Sequence, residues 1–334
     1  MNTMESVIFS VILSLILTLI SGRIFIPMLR RFKFGQYVRD DGPSSHLKKE
    51  GTPTMGGIIF LVPLCITTLL LAQNSLDFIL VAVLVTIGFG LIGFLDDYIK
   101  VAMKRSLGLS AYQKIIGQII IAVVFAIFAY RNVYIGSSIY IPFTDREWDL
   151  GIWYIPFIVF VIIGTVNSTN LTDGLDGLAS GVTVIVAITF CIISLFASYK
   201  FSKEGFAYIA ANYHNLGIFA GALVGSCLGF LRYNAYPAQV FMGDTGSLGI
   251  GGAVVALAVL LKMPLFLPII GGIYMIESIS VILQVTSFKL TGKRIFRMSP
   301  LHHHFELKGM EETRIVTMFM IITVILCLIG LLGV

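Results

Sequence analysis

Charge is scarce in this chain. Asp, Glu, Lys and Arg make up 12% of its 334 residues, against 57% hydrophobic. A soluble domain carries about 25% charged residues. The shortage excludes a water-solvated fold, because one core cannot hide this much apolar surface. Cysteine offers no chemistry. Cys65, Cys191, Cys227 and Cys327 each lie in an apolar run, outside any CxxC or Cys/His pattern. Zinc, thiol redox chemistry and an oxidising compartment therefore have no support. Low-complexity tracts, a fixed-period repeat and the GxxxxGK[ST] spacing of a P-loop are missing too.

What is there is apolar sequence in long runs. A helix crossing the hydrocarbon core needs about 20 mostly apolar residues. Ten such stretches fill the chain, at roughly 6–29, 54–72, 77–96, 112–130, 152–170, 175–197, 213–231, 246–261, 265–288 and 313–333. They leave no room for a separate soluble domain, so residues 1–334 read as a single polytopic, all-α integral membrane domain.

Orientation follows from the cations. Loops after the odd-numbered spans hold 17 of the 23 Lys and Arg residues, and the opposite loops hold 5. The positive-inside rule places the odd loops in the cytoplasm and both termini outside. Glu5 lies before the first apolar run, and Arg23, Arg30, Arg31 and Lys33 lie within or after it. That is the reverse of a secretory signal, so the first segment is expected to be a permanent helix.

The scarce acids interrupt apolar sequence on one side only. Asp96 and Asp97 end the third span in "FLDDYIK". A helix end reaching water, with Lys100 as an i,i+3 or i,i+4 partner, would explain that stretch alone. Adjacent aspartates on a helix point about 100° apart, which suits different tasks such as metal binding and proton handling. "NSTNLTDGLDGLASG" is more specific. Asn167, Asn170 and Asp173 share a helical face, Gly174 and Gly177 allow a turn, and Asp176 adds a second acid. "FMGDTGS" adds Asp244 at a glycine turn before a helix, where backbone N–H groups suit an anion.

Cations ring these acids. "HLKKEGTPTMGG" offers Lys49 and hydroxyls, and Lys100, Lys104, Lys114, Arg294 and Arg297 fall on the same side. "MSPLHHHFELKG" carries His302, His303 and His304, which cannot all face one ion from a regular helix. Phosphate contacts suit them better than zinc. Oxygen-only ligands favour Mg²⁺, which takes one or two carboxylates plus substrate phosphates. Acids to hold a metal and cations to hold phosphates make the pattern of phosphoryl transfer, with one substrate from the cytosol and one from lipid.

"GTPTMGG", "FLDDYIK", "NSTNLTDGLDGLA", "FMGDTGSL" and "SPLHHHFELKG" resemble, in order, the motifs of the phospho-N-acetylmuramoyl-pentapeptide transferases. These belong to the polyprenyl-phosphate N-acetylhexosamine-1-phosphate transferase superfamily. The resemblance runs from about residue 21 to the C-terminus. It implies transfer of phospho-MurNAc-pentapeptide from UDP-MurNAc-pentapeptide to undecaprenyl phosphate, forming lipid I and releasing UMP. It also implies Mg²⁺ dependence, ten transmembrane helices, a homodimer and a site on the cytoplasmic face of the plasma membrane. By the same resemblance Asp244 and Asp97 are the metal ligands, and Asp96, Asp97, Asp244 and His302 are catalytic. Lys49, Thr54, Asn170, Asp173, Asp176, Asn234, Phe241, Gln284, His303 and His304 match the family's substrate-binding residues, with Phe241 placed to stack on uracil, and Lys100 and Lys114 from the ring of cations are expected to bind substrate with them.

Two other functions compete. A related transferase could use a simpler UDP-N-acetylhexosamine, and "PLHHHFE" argues against it. A secondary transporter would hold its polar residues near the bilayer midplane. Here only Glu277 lies well inside a span.

Overall fold

The computed structural model describes residues 3–31, 51–73, 75–103 and 108–334. Lys49 and Lys104 lie outside the described residues. The chain folds as a helical bundle of α1 (Thr3–Arg31), α2 (Gly57–Leu71), α3 (Asp77–Ala102), α4 (Ala111–Arg131), α5 (Tyr154–Thr172), α6 (Leu178–Lys203), α7 (Ala207–Asn234) and α8 (Gly243–Leu260), the short α9 (Leu267–Ile270), α10 (Gly272–Thr291), the short α11 (Leu301–Glu306) and α12 (Glu312–Leu331). Nine of the described helices are long and apolar enough to cross a membrane. The second expected span is α2, an apolar helix of 15 residues. At 1.5 Å per residue it reaches about 22 Å, short of the ~30 Å hydrocarbon core.

The surface is apolar and the contacts between helices are small, as expected where lipid is the solvent. On α1, Ile8, Ile12, Ile16, Ile20 and Ile24 face outward. Its buried stripe is Ser6, Ser10, Ser14, Thr18 and Gly22, repeating every four residues. That stripe packs on α7, where a methyl group at Gly225 would sit 2.1 Å from the Val11 carbonyl oxygen.

The centre of the bundle is α8, buried on every face from Thr245 to Leu260. It packs most extensively on α3 and also on α5 and α2, while α6 and α7 form a long hairpin beside it. At Gly93 of α3 an added Cβ would lie 2.1 Å from the Asp244 carbonyl oxygen. Only glycine lets these two backbones come so close, and this contact brings "FLDDYIK" onto "FMGDTGS".

The loop between α4 and α5 contains strands where a plain loop was expected. β1 (Ser138–Tyr140) pairs antiparallel with β2 (Glu147–Asp149), Ser138 opposite Asp149 and Tyr140 opposite Glu147. Lys262, after α8, holds this hairpin. Its carbonyl accepts from Tyr140 N–H at 2.8 Å, and its ammonium meets Glu147 at 2.7 Å. The hairpin is therefore at the C-terminal end of α8, opposite the acid cluster.

Candidate active site

The site forms where α3 ends and α8 begins. α8 opens on a reversal at Gly243, its first residue, whose φ of 72° favours glycine. The first turn of a helix has backbone N–H groups with no intrahelical partner. Here α3 supplies the acceptor. Asp97 takes hydrogen bonds from Asp244 N–H at 3.2 Å, Thr245 N–H at 2.9 Å and the Thr245 hydroxyl at 2.7 Å. A carboxylate at this end of the helix also matches the sign of its dipole.

Asp96, one residue away, makes a different set of contacts. It accepts from Leu109 N–H at 2.8 Å and pairs with Lys100 at 2.6 Å. Lys100 Nζ also reaches Asp244 Oδ2 at 3.0 Å, and Lys114 from α4 meets the same oxygen at 2.7 Å. Asp244 Oδ1 accepts from Asn170 of α5 at 2.8 Å. Asn170 also donates to Ser247 at 2.8 Å. Asp96, Asp97 and Asp244 each place a carboxylate oxygen within 4.8 Å of the others. This is the group among the described residues whose ligand atoms converge so closely.

Four elements hold this centre, and their fixings are polar. Thr54 lies in "GTPTMGG", which is laced by backbone bonds to the strand-like run before α8. Phe241 N–H donates to Pro53 C=O at 2.8 Å, Gly56 N–H to Phe241 C=O at 2.8 Å and Gly57 N–H to Met242 C=O at 2.9 Å. Those bonds bring Thr54 against Gly243 and leave the Phe241 ring half-buried. On α5, Asn167 exchanges amide hydrogen bonds with Gln118 of α4, at 2.7 and 3.3 Å. That exchange fixes the helix carrying Lys114 against the helix carrying Asn170.

Just past α5, Asp173 faces the centre. Burial, then the charges of Asp244, Asp97 and Asp176, push its carboxyl well above the usual carboxylate range. Asp176 accepts from Ala238 N–H at 3.0 Å, and its own N–H donates to Glu312 at 2.7 Å. Asn234 is buried with its amide engaged by the protein. Its oxygen accepts from Gly177 N–H at 3.2 Å and the Ser180 hydroxyl at 3.1 Å, and its nitrogen donates to Val240 C=O at 3.1 Å. In this structure it ties the 173–177 turn to the 235–241 loop.

The three histidines point to three different partners. His302 is buried, with Nδ1 3.2 Å from Glu277. His303 Nδ1 meets Glu306 at 2.6 Å. His304 Nδ1 accepts from Arg297 N–H at 3.1 Å. Burial and the charges of Lys308 and Arg297 hold the His304 imidazole below its ordinary pKa. Gln284, also buried, accepts from Ile295 N–H at 3.0 Å and Phe296 N–H at 2.9 Å, and donates to Phe296 C=O at 2.9 Å. Arg294 lies over the Phe288 ring at 6.0 Å, and the Arg297 guanidinium bonds Leu307 C=O. Among the described residues the two lysines, not these arginines, are the cations in contact with the acids of the centre.

Sequence reasoning did not find Ser247, Gln118 or Glu312. Ser247 had a local signal, one turn after Asp244 in "GDTGSL". Gln118 had a weaker one, a lone amide in an apolar run. Glu312 stands among ordinary charges and had none.

Known proteins resemble the chain along its whole length. The model of glycosyl transferase family 4 matches residues 78–262. A phospho-N-acetylmuramoyl-pentapeptide-transferase signature matches residues 49–61. The phospho-N-acetylmuramoyl-pentapeptide-transferase of Clostridium kluyveri is 50% identical over 330 residues, covering 99% of this chain and 100% of that protein. The enzymes of that name from Alkaliphilus oremlandii and Caldanaerobacter subterraneus subsp. tengcongensis are each 54% identical. They cover 98% and 96% of this chain respectively, and the same shares of their own lengths. An acid and lysine centre at the meeting of membrane helices, in a chain that such relatives match from end to end, makes this chain a member of the phospho-N-acetylmuramoyl-pentapeptide transferase family.

Proposed function

We propose that the protein transfers phospho-MurNAc-pentapeptide from UDP-MurNAc-pentapeptide to undecaprenyl phosphate, forming lipid I and releasing UMP, as the membrane step of peptidoglycan synthesis. The observation that carries this reading is the Asp96–Asp97–Asp244 cluster, with Lys100 between its carboxylates and Lys114 against Asp244, in a chain half identical to named transferases over its full length.

An undecaprenyl-phosphate oxygen attacks the β-phosphorus of the nucleotide sugar. A new P–O bond forms, and the bond to the bridging oxygen breaks, with the electron pair leaving on UMP. Lys100 and Lys114 lie beside Asp244 and turn from it to the pyrophosphate and the lipid phosphate. Asp96 Oδ2 is freed as Lys100 moves, and it accepts the proton of a protonated lipid phosphate. With a second pKa of about 6, most of that phosphate is already ionised at neutral pH. Asn170 and Ser247 keep Asp244 in place, and Phe241 offers a ring face to uracil. Thr54 approaches the phosphates from the segment before α2, Lys49 is assigned to the same substrate, and Asp173, Asp176, Gln284, His303 and His304 border the nucleotide. A two-step route, with an aspartate phosphorylated first, uses the same groups.

Mg²⁺ fits the donor set. The ligands are hard carboxylate oxygens gathered within 4.8 Å, and the Lys100 ammonium already places a positive charge between two of them. Asp244 and Asp97 would hold the ion, which when bound neutralises the pyrophosphate charge. The same reading places the site on the cytoplasmic face of the plasma membrane, counts α2 as a tenth span within one domain, puts both termini outside and pairs two copies as a homodimer.

The test is UMP release by purified protein with Mg²⁺ and undecaprenyl phosphate. Release with UDP-MurNAc-pentapeptide and not with UDP-N-acetylglucosamine is expected. Release only with the simple sugar would move the protein to the neighbouring branch. Solute flux in liposomes without UMP release would replace the reading with a transporter.

A further inference from the structure

α10 turns its apolar side outward through Ile276, Ile279 and Ile282. Its buried side carries Tyr274, Glu277, Ser280 and Gln284. A carboxylate with no exposed surface, in a helix of membrane-spanning length, is costly and needs a partner. Among the described residues that partner is His302, itself 1% exposed, through Nδ1 at 3.2 Å. Glu277 Oε1 has no hydrogen-bond partner among the described residues, so the carboxylate is not saturated by the fold. A purely structural acid would be expected to use both oxygens.

The far side of the imidazole carries the second clue. His302 Nε2 is buried and also has no hydrogen-bond partner among the described residues. It packs on Gly174, where a Cβ would come within 2.1 Å of that nitrogen. Gly174 follows Asp173, whose carboxyl feels the charges of Asp244 and Asp97. Seven residues along the same face of α10, Gln284 grips the backbone at 295–296. α10 therefore fastens the 292–306 segment at two points, and the Glu277 point ends in a buried nitrogen without a hydrogen-bond partner among the described residues, packed on Gly174 of the site turn.

We propose that Glu277 is a positioning residue for His302. Its carboxylate keeps a proton on Nδ1, so that Nε2 faces the 173–177 turn as an unprotonated acceptor for an O–H or N–H donor of the nucleotide sugar. This rests on the transferase reading for the identity of the donor. The residue pair itself does not. Such a carboxylate–imidazole arrangement fixes ring orientation and tautomer together.

The experiment is a double-mutant cycle with Glu277→Gln and His302→Gln in purified protein, reading kcat, the KM for each substrate and the thermal midpoint. Glu277→Gln should lower kcat by about 10- to 100-fold, leaving the KM for undecaprenyl phosphate and the midpoint near those of the parent. In the His302→Gln background the same change should do less than about twofold, because its effect passes through the imidazole. Additive effects, or parental kcat in Glu277→Gln, would overturn the proposal.

A second measurement covers variants that fold badly. In ¹⁵N-histidine-labelled parent protein, the His302 signal, assigned by its loss in His302→Gln, should show a protonated Nδ1. A proton on Nε2 alone would overturn the proposal. Failure of the parent to release UMP would remove the transferase reading and leave the tautomer measurement to decide the pair.

Discussion

Asp96 and Asp97 are neighbours of the same type, yet the fold gives them different work. Asp97 is fixed by three donors from the start of α8. Among the described residues, Asp96 accepts from the Leu109 N–H and pairs with Lys100. Removing a buried acceptor leaves its donors unpaired, at about 1–3 kcal/mol for each. Asp97→Ala should therefore lower the thermal midpoint in detergent clearly more than Asp96→Ala. The reverse order would show that Asp97 does not cap α8. Asp244 sits where both lysines and Asn170 converge. Asp244→Asn keeps the shape and removes the charge, so turnover should fall by more than about 100-fold, and the response to added Mg²⁺ should flatten. UMP release across a Mg²⁺ titration measures both, and near-normal activity would remove Asp244 as a ligand. That the two aspartates would meet different partners was legible from their 100° offset. That Asp97 works as a helix cap was not, because its donors lie about 150 residues along the chain.

Between elements, the glycines of α3 differ in what they touch. A Cβ at Gly93 would meet the Asp244 carbonyl oxygen at 2.1 Å, a backbone atom that cannot swing aside. A Cβ at Gly88 would meet only the tip of Ile121, at 3.0 Å. Overpacking costs about 1–3 kcal/mol, and at Gly93 the shift falls on the α3–α8 junction beside the acid centre. Gly93→Ala should lose most transferase activity, whereas Gly88→Ala should stay within a fewfold of the parent. UMP release by the two variants, at matched amounts of monodisperse protein, decides it. Equal activity would mean the α3–α8 spacing does not set the site. The sequence showed glycines recurring in the spans and gave the general reason, close approach of helices. Which glycine faces which helix depends on rotation about the helix axis, and an all-apolar helix records that rotation poorly.

For the whole molecule the open quantity is orientation in the membrane. The acid centre is at one end of α8 and the β1–β2 hairpin at the other. The positive-inside rule, applied to the Lys and Arg excess, leads us to propose the acid end on the cytoplasmic side. A cysteine at Asp145 in the hairpin turn or at Lys293 after α10, both exposed, tests this. In intact cells an impermeant thiol reagent should label Asp145→Cys and reach Lys293→Cys only after the membrane is opened. The opposite result would invert the topology.

The sequence by itself determined that lipid is the solvent, where most of the helices run and in which segments the acids gather. Those properties are local, because hydropathy and charge add up along a stretch without regard to its neighbours. It also presented Asp96, Asp97, Asp173, Asp176 and Asp244 as acids out of place in apolar surroundings. Only the tertiary structure decided that three of them share one centre, that Lys100 and Lys114 hold it together, and that Asn234 and Gln284 are engaged with backbone groups. It alone joined Glu277 to His302 and folded a hairpin where a loop was expected. Those outcomes depend on contacts between distant segments, which are fixed by how the helices turn and pack against one another.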